Sequence, residues 1–257
     1  MRGELTLSVS TLFGFVFVLA RMLGAFVFVP LPERDAGPST ARIVLALAST
    51  MTLFPRWPVV DASQLTTGAL FLVLVSEMAL GTGMGLLVSF IAEALTLGAQ
   101  ILSLQAGYAY ASTVDPTSQA DSDVLPVLAN LMAGLLFFTT GLHRFVIQAF
   151  ADSLDRYPPG MFSLDRNLAN TVIHVGSGMF SVGLRLAFPV MGLLLMSELL
   201  LGLMGRISSQ LRLGQQAGPV KMLISLATLT AILAVVPKLY TSYASEVFRF
   251  IRHDFGH

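Results

Sequence analysis

Six apolar runs, separated by short polar stretches, organise this chain: Leu12 to Val29, Ala41 to Phe54, Leu65 to Leu97, Val124 to Leu142, Thr171 to Met204 and Met222 to Val236. Each reads as a hydrophobic helix. The predicted fold class is all-α, a polytopic membrane-type protein of broken helical hairpins. The first run stops at Pro30-Leu31-Pro32, because proline removes a backbone donor and clashes with the preceding turn. The second is too short to span ~30 Å of hydrocarbon comfortably. It ends at Pro55, Trp57 and Pro58, where Trp57 fits an interfacial anchor. The third and fifth exceed the ~20–25 residues a bilayer needs, so they must tilt, break or project beyond it. Pro189 predicts a kink in the fifth. Helix-like spacing also continues from Phe145 to Ser153, and the tail from Tyr240 to His257 is amphipathic.

Small and charged residues punctuate these runs. Gly81 and Gly85 are four apart, on one helix face, and such faces let helix backbones approach closely. Gly183 and Pro189 fall within the fifth run. Arg21, Glu77, Glu93, Arg185 and Glu198 are charges in or beside apolar segments. Intramembrane charges are costly and face a partner or a polar interior. For Arg21 the readings are snorkelling or an interhelical pair. For Glu77 and Glu93 they are a structural ion pair or a proton relay. Arg185 is expected to pair with Glu198 or Glu77.

One polar stretch, Gln100 to Pro126, stands out between two apolar blocks. It holds Asp115, Asp121 and Asp123 and has no Lys or Arg. Two readings are open: an ordinary aqueous loop, or a segment that re-enters a protein-lined, water-filled space, the one place where non-helical backbone is tolerated at membrane depth.

Composition supports a membrane protein. The chain is 54% hydrophobic and 12% charged, with a mean hydropathy of +0.76; soluble domains run at roughly 45–50% apolar and 25% charged. Formal net charge is zero, which leaves no basic footprint for nucleic acid. The absence of cysteine excludes disulfides, thiolate metal sites and Cys nucleophiles. Leu12 to Pro30 is longer than a signal-peptide core of ~7–15 residues and no small-x-small site follows, so it reads as a retained first helix. The four histidines show no metal-ligand spacing, and no Walker loop or Gly-x-Ser-x-Gly elbow is present. No cofactor is expected. The basic turn from Gly205 to Lys221 is assigned to the cytoplasm by the positive-inside rule. Simple alternation over six spans then puts the acidic 100–126 stretch there too, a poor match for an ordinary cytoplasmic loop.

A series of motifs resembles one family. Ala20-Arg21-Met22-Leu23-Gly24 followed by Pro30 is similar to the start of the FliR family. Gly98 through Gly107 to Asp115-Pro116 resembles that family's "AG…G…DP" segment. Phe137-Phe138-Thr139-Thr140-Gly141-Leu142-His143, with Ser153 after it, resembles a helix end of the family. Phe180 to Val190 resembles its "F.lGlrlAlPv" segment, and Gly202 to Arg206 with Gln210 and Gly218-Pro219 resembles its basic turn. Ser209 and Arg212 stand where the family usually has Pro and Asn.

The resemblance implies a non-enzymatic subunit of the flagellar type III protein export gate, in the bacterial inner membrane at the flagellar basal body. FliP- and FliQ-like subunits would complete the pore for unfolded flagellar subunits, and FlhA- and FlhB-like export proteins would complete the apparatus. Residues 1–150 would form a FliP-like helical part, and residues 171–257 a FliQ-like hairpin and tail. A loop would plug the closed pore. Composition puts forward Tyr108, Tyr110, Ser112, Asp115, Pro116, Asp121 and Asp123 for that plug, near 108–123. Two alternatives stand beside this one. One is the injectisome homologue, SctT. The other is a secondary transporter of small molecules, using Glu77, Glu93, Arg185 and Glu198, which the two Gly-rich long segments faintly suggest.

Overall fold

The computed structural model describes residues 9–30, 40–58, 66–107, 124–161, 166–207, 223–227, 230 and 233–255. Among the described residues the regular elements are helices, with no strand. They are α1 (Val9–Phe26), α2 (Thr40–Thr52), a 3₁₀ turn (Phe54–Arg56), α3 (Thr67–Ala106), α4 (Val124–Thr139), α5 (Leu142–Arg156), α6 (Arg166–Ile207) and α7 (Val236–Phe255). Two of them, α3 and α6, are long and apolar enough to cross a membrane; counting the broken pair α4 and α5 as one span gives up to three.

The apolar runs and the helices differ mainly at their ends. α3 does not stop at Leu97. It continues through Gln100 to Ala106, because Ala99, Leu102 and Ala106 keep a buried stripe at helical spacing. The opening of the polar stretch is therefore helix. Gly107, at φ 83°, then ends α3, its amide donating to the Ser103 carbonyl at 3.1 Å. Only a residue tolerant of left-handed backbone closes a helix in this way. Gly141, at φ 76°, makes the break between α4 and α5. α6 runs on both sides of Pro189. At 40 and 42 residues, α3 and α6 are each about 60 Å long at ~1.5 Å per residue. That is roughly twice the hydrocarbon thickness, so neither is an ordinary single span.

The chain divides into two compact units. The first comprises residues 1–90, 137–175 and 244–257. It holds α1, α2, the first part of α3, α5, and the start of α6 and end of α7. Phe17, Val18 and Met22 of α1, Leu80, Met84 and Leu87 of α3, and Val146 and Phe150 of α5 are buried in it. Trp57, after the 3₁₀ turn, packs against Phe15 and Phe54 and donates its indole N–H to the Thr50 carbonyl at 2.9 Å. Its polar tip is thus satisfied within the chain.

The second unit comprises residues 91–136 and 176–243. Leu102 and Ala106 of α3 cluster with Ala187, Val190 and Leu194 of α6, with Leu125 and Ile224 packed against them. α7 opens with Pro237 in its first turn, where proline costs no intrahelical bond. In this unit its buried residues, Val236, Tyr240 and Tyr243, fall at three- and four-residue spacing.

Candidate functional site

Arg21 is the most polar feature of the first unit's interior. Its side chain and that of Glu77 are both fully buried. Nε donates to Glu77 Oε2 at 2.7 Å, and Nη2 lies 2.5 Å from the same oxygen. Nη1 donates to the Ser153 carbonyl at 2.9 Å and to Ser153 Oγ at 3.1 Å, and Nη2 donates to the Tyr157 carbonyl at 2.7 Å. One guanidinium thus ties α1, α3 and the C-terminal turn of α5 together. The Ser153 carbonyl also accepts the Tyr157 amide at 2.9 Å, whereas the Tyr157 carbonyl lies just past the helix, where the ladder supplies no further amide. Glu77 Oε1 is buried with no hydrogen-bond partner among the described residues. For Arg21 the structure selects the interhelical pair over snorkelling. It also commits Glu77, which leaves Arg185 without that candidate.

Close packing places the pair. A Cβ on Gly81 would overlap the carbonyl oxygen of Arg21, one on Gly85 that of Ala25, and one on Gly24 that of Met78. α1 and α3 therefore touch backbone to backbone, which sets the register that brings Glu77 to Arg21. In the second unit, Gly98 of α3 and Gly183 of α6 make a similar crossing. A Cβ on Gly98 would lie 3.1 Å from the Gly183 carbonyl oxygen, and one on Gly183 would lie 3.1 Å from that of Ala94. Beside it is an apolar cavity of about 340 Å³, lined by Leu95, Leu102, Leu128, Met132 and Leu186 among others. Tyr240, buried in the same unit, donates its hydroxyl to the Ala133 carbonyl at 3.1 Å. Burial pushes its phenol well above the usual tyrosine range.

The remaining charges do not join Arg21 and Glu77. Glu93 and Arg185 are exposed and Glu198 is half-buried. Arg185 and Glu198 lie 13 residues apart on α6, about 20 Å along the axis, so they do not pair within one chain. The proposed plug residues Tyr108, Tyr110, Ser112, Asp115, Pro116, Asp121 and Asp123 lie outside the described residues. Among the described residues no group of three or more His, Asp or Glu side chains could hold a metal. His174 packs against Phe250 and His143 against Phe138, with tilted rings.

Sequence reasoning missed Ser153 and Tyr157 as partners of Arg21, and Gly24 and Gly98 as crossing points. Gly24 carried a signal, four residues after Ala20 on the same face of α1. The Tyr157 carbonyl carried none, because every residue has one.

The sequence profile of "Bacterial export proteins, family 1" matches residues 12–247. The chain belongs to that family, the FliR family. It is 28% identical over 233 residues to the flagellar biosynthetic protein FliR of Escherichia coli K12, covering 91% of this chain and 89% of that protein. Against the protein of the same name from Pectobacterium carotovorum it is 29% identical, with 91% and 88% covered. Against that of Bacillus subtilis 168 the identity is 23%, with 86% of each covered. The family match runs through Arg21, Glu77 and Ser153 and through both glycine crossings. What this export-family chain builds around Arg21 is a buried polar joint between helices.

Proposed function

We infer that the chain is a non-enzymatic subunit of the flagellar protein export gate, working with FliP- and FliQ-like subunits to form the pore for unfolded flagellar proteins. The observation that carries this reading is the family match along nearly the whole chain, with similar proteins named flagellar biosynthetic proteins. Those names favour the flagellar system over the injectisome. The architecture supports it too. α3 and α6 are too long for single spans, and much of their apolar surface is exposed in the chain taken alone, as expected of a subunit packed among others. Commitment of Glu77 to Arg21 removes one of the four charges that a small-molecule transporter would use.

On this reading the chain lies in the bacterial inner membrane at the flagellar base, and FlhA- and FlhB-like proteins complete the apparatus. Residues 1–150 are the FliP-like part and residues 171–257 the FliQ-like part. The segment near 108–123 obstructs the pore at rest. The test is co-purification in detergent from cells that also produce the FliP- and FliQ-like proteins, together with swimming of a strain lacking the gene. A stable stoichiometric complex and loss of swimming, restored by the gene, are expected. A chain that purifies alone as a stable, fully helical monomer, in a strain that still swims, would overturn the reading.

A further inference from the structure

α6 carries one face that no other described residue covers. Arg185, Phe188, Gly192, Met196, Leu199 and Leu203 follow one another at three- and four-residue steps, so at about 100° per residue they form one seam. All six are exposed. The opposite side of the helix holds the buried residues Gly183, Ala187, Val190 and Leu194. Three features of this seam are wasted on lipid. Arg185 forms no hydrogen bond or ion pair among the described residues. Pro189 has no N–H, so the Arg185 carbonyl also loses the amide donor that residue 189 would supply. Gly192 has nothing within 4 Å of where a Cβ would stand, leaving a notch into which another backbone fits.

Position along α6 sharpens the point. Within α6, a window of ~20 residues, the length a bilayer core requires, takes in Arg185 or Glu198 as soon as it extends past residue 184. A window with Arg185 at its C-terminal edge drops the apolar seam from Phe188 to Leu203 into water. A window beginning just after Arg185 keeps Glu198 in the hydrocarbon. Charge complementarity and the planar fork of arginine then specify what the seam lacks, namely a carboxylate.

We propose that this face of α6 docks one apolar helix of another subunit, and that this helix brings an aspartate or glutamate to Arg185 while its backbone seats at Gly192. The inference rests on the export-gate reading. It adds to that reading which face is used and what the partner helix must carry.

The test uses the full chain in cells carrying the complete gate. A photo-crosslinking amino acid at Leu199 or Met196 is expected to form an adduct with one partner polypeptide, and the same group at buried Val190 is not. Arg185→Glu should reduce that adduct at least tenfold. An acid-to-arginine change in the crosslinked partner helix should restore it. Gly192→Leu, which keeps the charge and fills the notch, should also lose the adduct, so the result does not hang on the fold of one variant. Adducts with lipid alone, adducts with a second copy of this chain, or a partner adduct unaffected by both variants would each overturn the proposal. If the parent chain co-purifies with its partners yet crosslinks to none of them from the seam, only this inference fails. A chain that neither co-purifies nor restores swimming fails the export reading itself.

Discussion

All three nitrogens of the Arg21 guanidinium are engaged, by Glu77, Ser153 and Tyr157. At that scale the energetics are asymmetric. A buried pair costs much desolvation and returns about as much, but removing one member leaves a charge with no counter-charge, at about 3–5 kcal/mol. Arg21→Met is therefore expected to destabilise by about that amount. The double change Arg21→Met with Glu77→Leu should be milder than Arg21→Met alone, because no buried charge is left over. Denaturation of the detergent-solubilised protein reads both. Equal losses for the single and double variants would mean that the carboxylate plays no part. The pair was half legible in the sequence. A charge inside an apolar run announces that it needs a partner. Which carboxylate answers depends on the register of α1 against α3, and three-dimensional register is not written in either helix alone.

Helix crossings are the next scale up, and there the glycines separate by what surrounds them. Gly81 meets the backbone of Arg21 where a Cβ would stand, whereas Gly83 meets nothing within 4 Å. Gly81→Ala is expected to force α1 and α3 apart and destabilise by roughly 1–3 kcal/mol, as overpacking does. Gly83→Ala should be neutral or stabilising by up to ~1 kcal/mol, since alanine loses less backbone entropy in a helix. Thermal unfolding of the two variants side by side decides this, and Gly83→Ala as the worse of the two would refute it. The four-residue spacing of Gly81 and Gly85 identified this face from sequence. The ends of elements were less readable. α3 runs nine residues past Leu97 because Leu102 and Ala106 are held by α6 residues remote in sequence, a tertiary cause that a local run of polar residues conceals.

At the scale of the whole molecule, the six apolar runs made an all-helical membrane-type chain legible. The number of true spans was not, because α1 and α2 are short and α4 and α5 are broken by Gly141. The proposed plug belongs to this scale. Deleting Ser112 to Ala120 is expected to leave assembly largely intact but to let ions or small solutes leak across the membrane of cells carrying the complete gate. Conductance or solute entry compared with the intact protein measures it. An assembled mutant with no added leak would make this stretch an ordinary loop.

The Arg21 network also has a timetable. Its parts lie 56, 132 and 136 residues apart in sequence, and a ribosome adds roughly 5–20 residues per second. Arg21 therefore waits roughly 3–11 s for Glu77 and roughly 7–27 s for Tyr157 at those rates. During that interval α1 is a nascent apolar helix with an unanswered positive charge, and the cell must shelter it or lose it. Chains arrested before Glu77 emerges are expected to be degraded faster in a pulse-chase than chains arrested after Tyr157. Arg21→Leu should abolish most of that difference, because a first helix without the arginine has nothing to wait for.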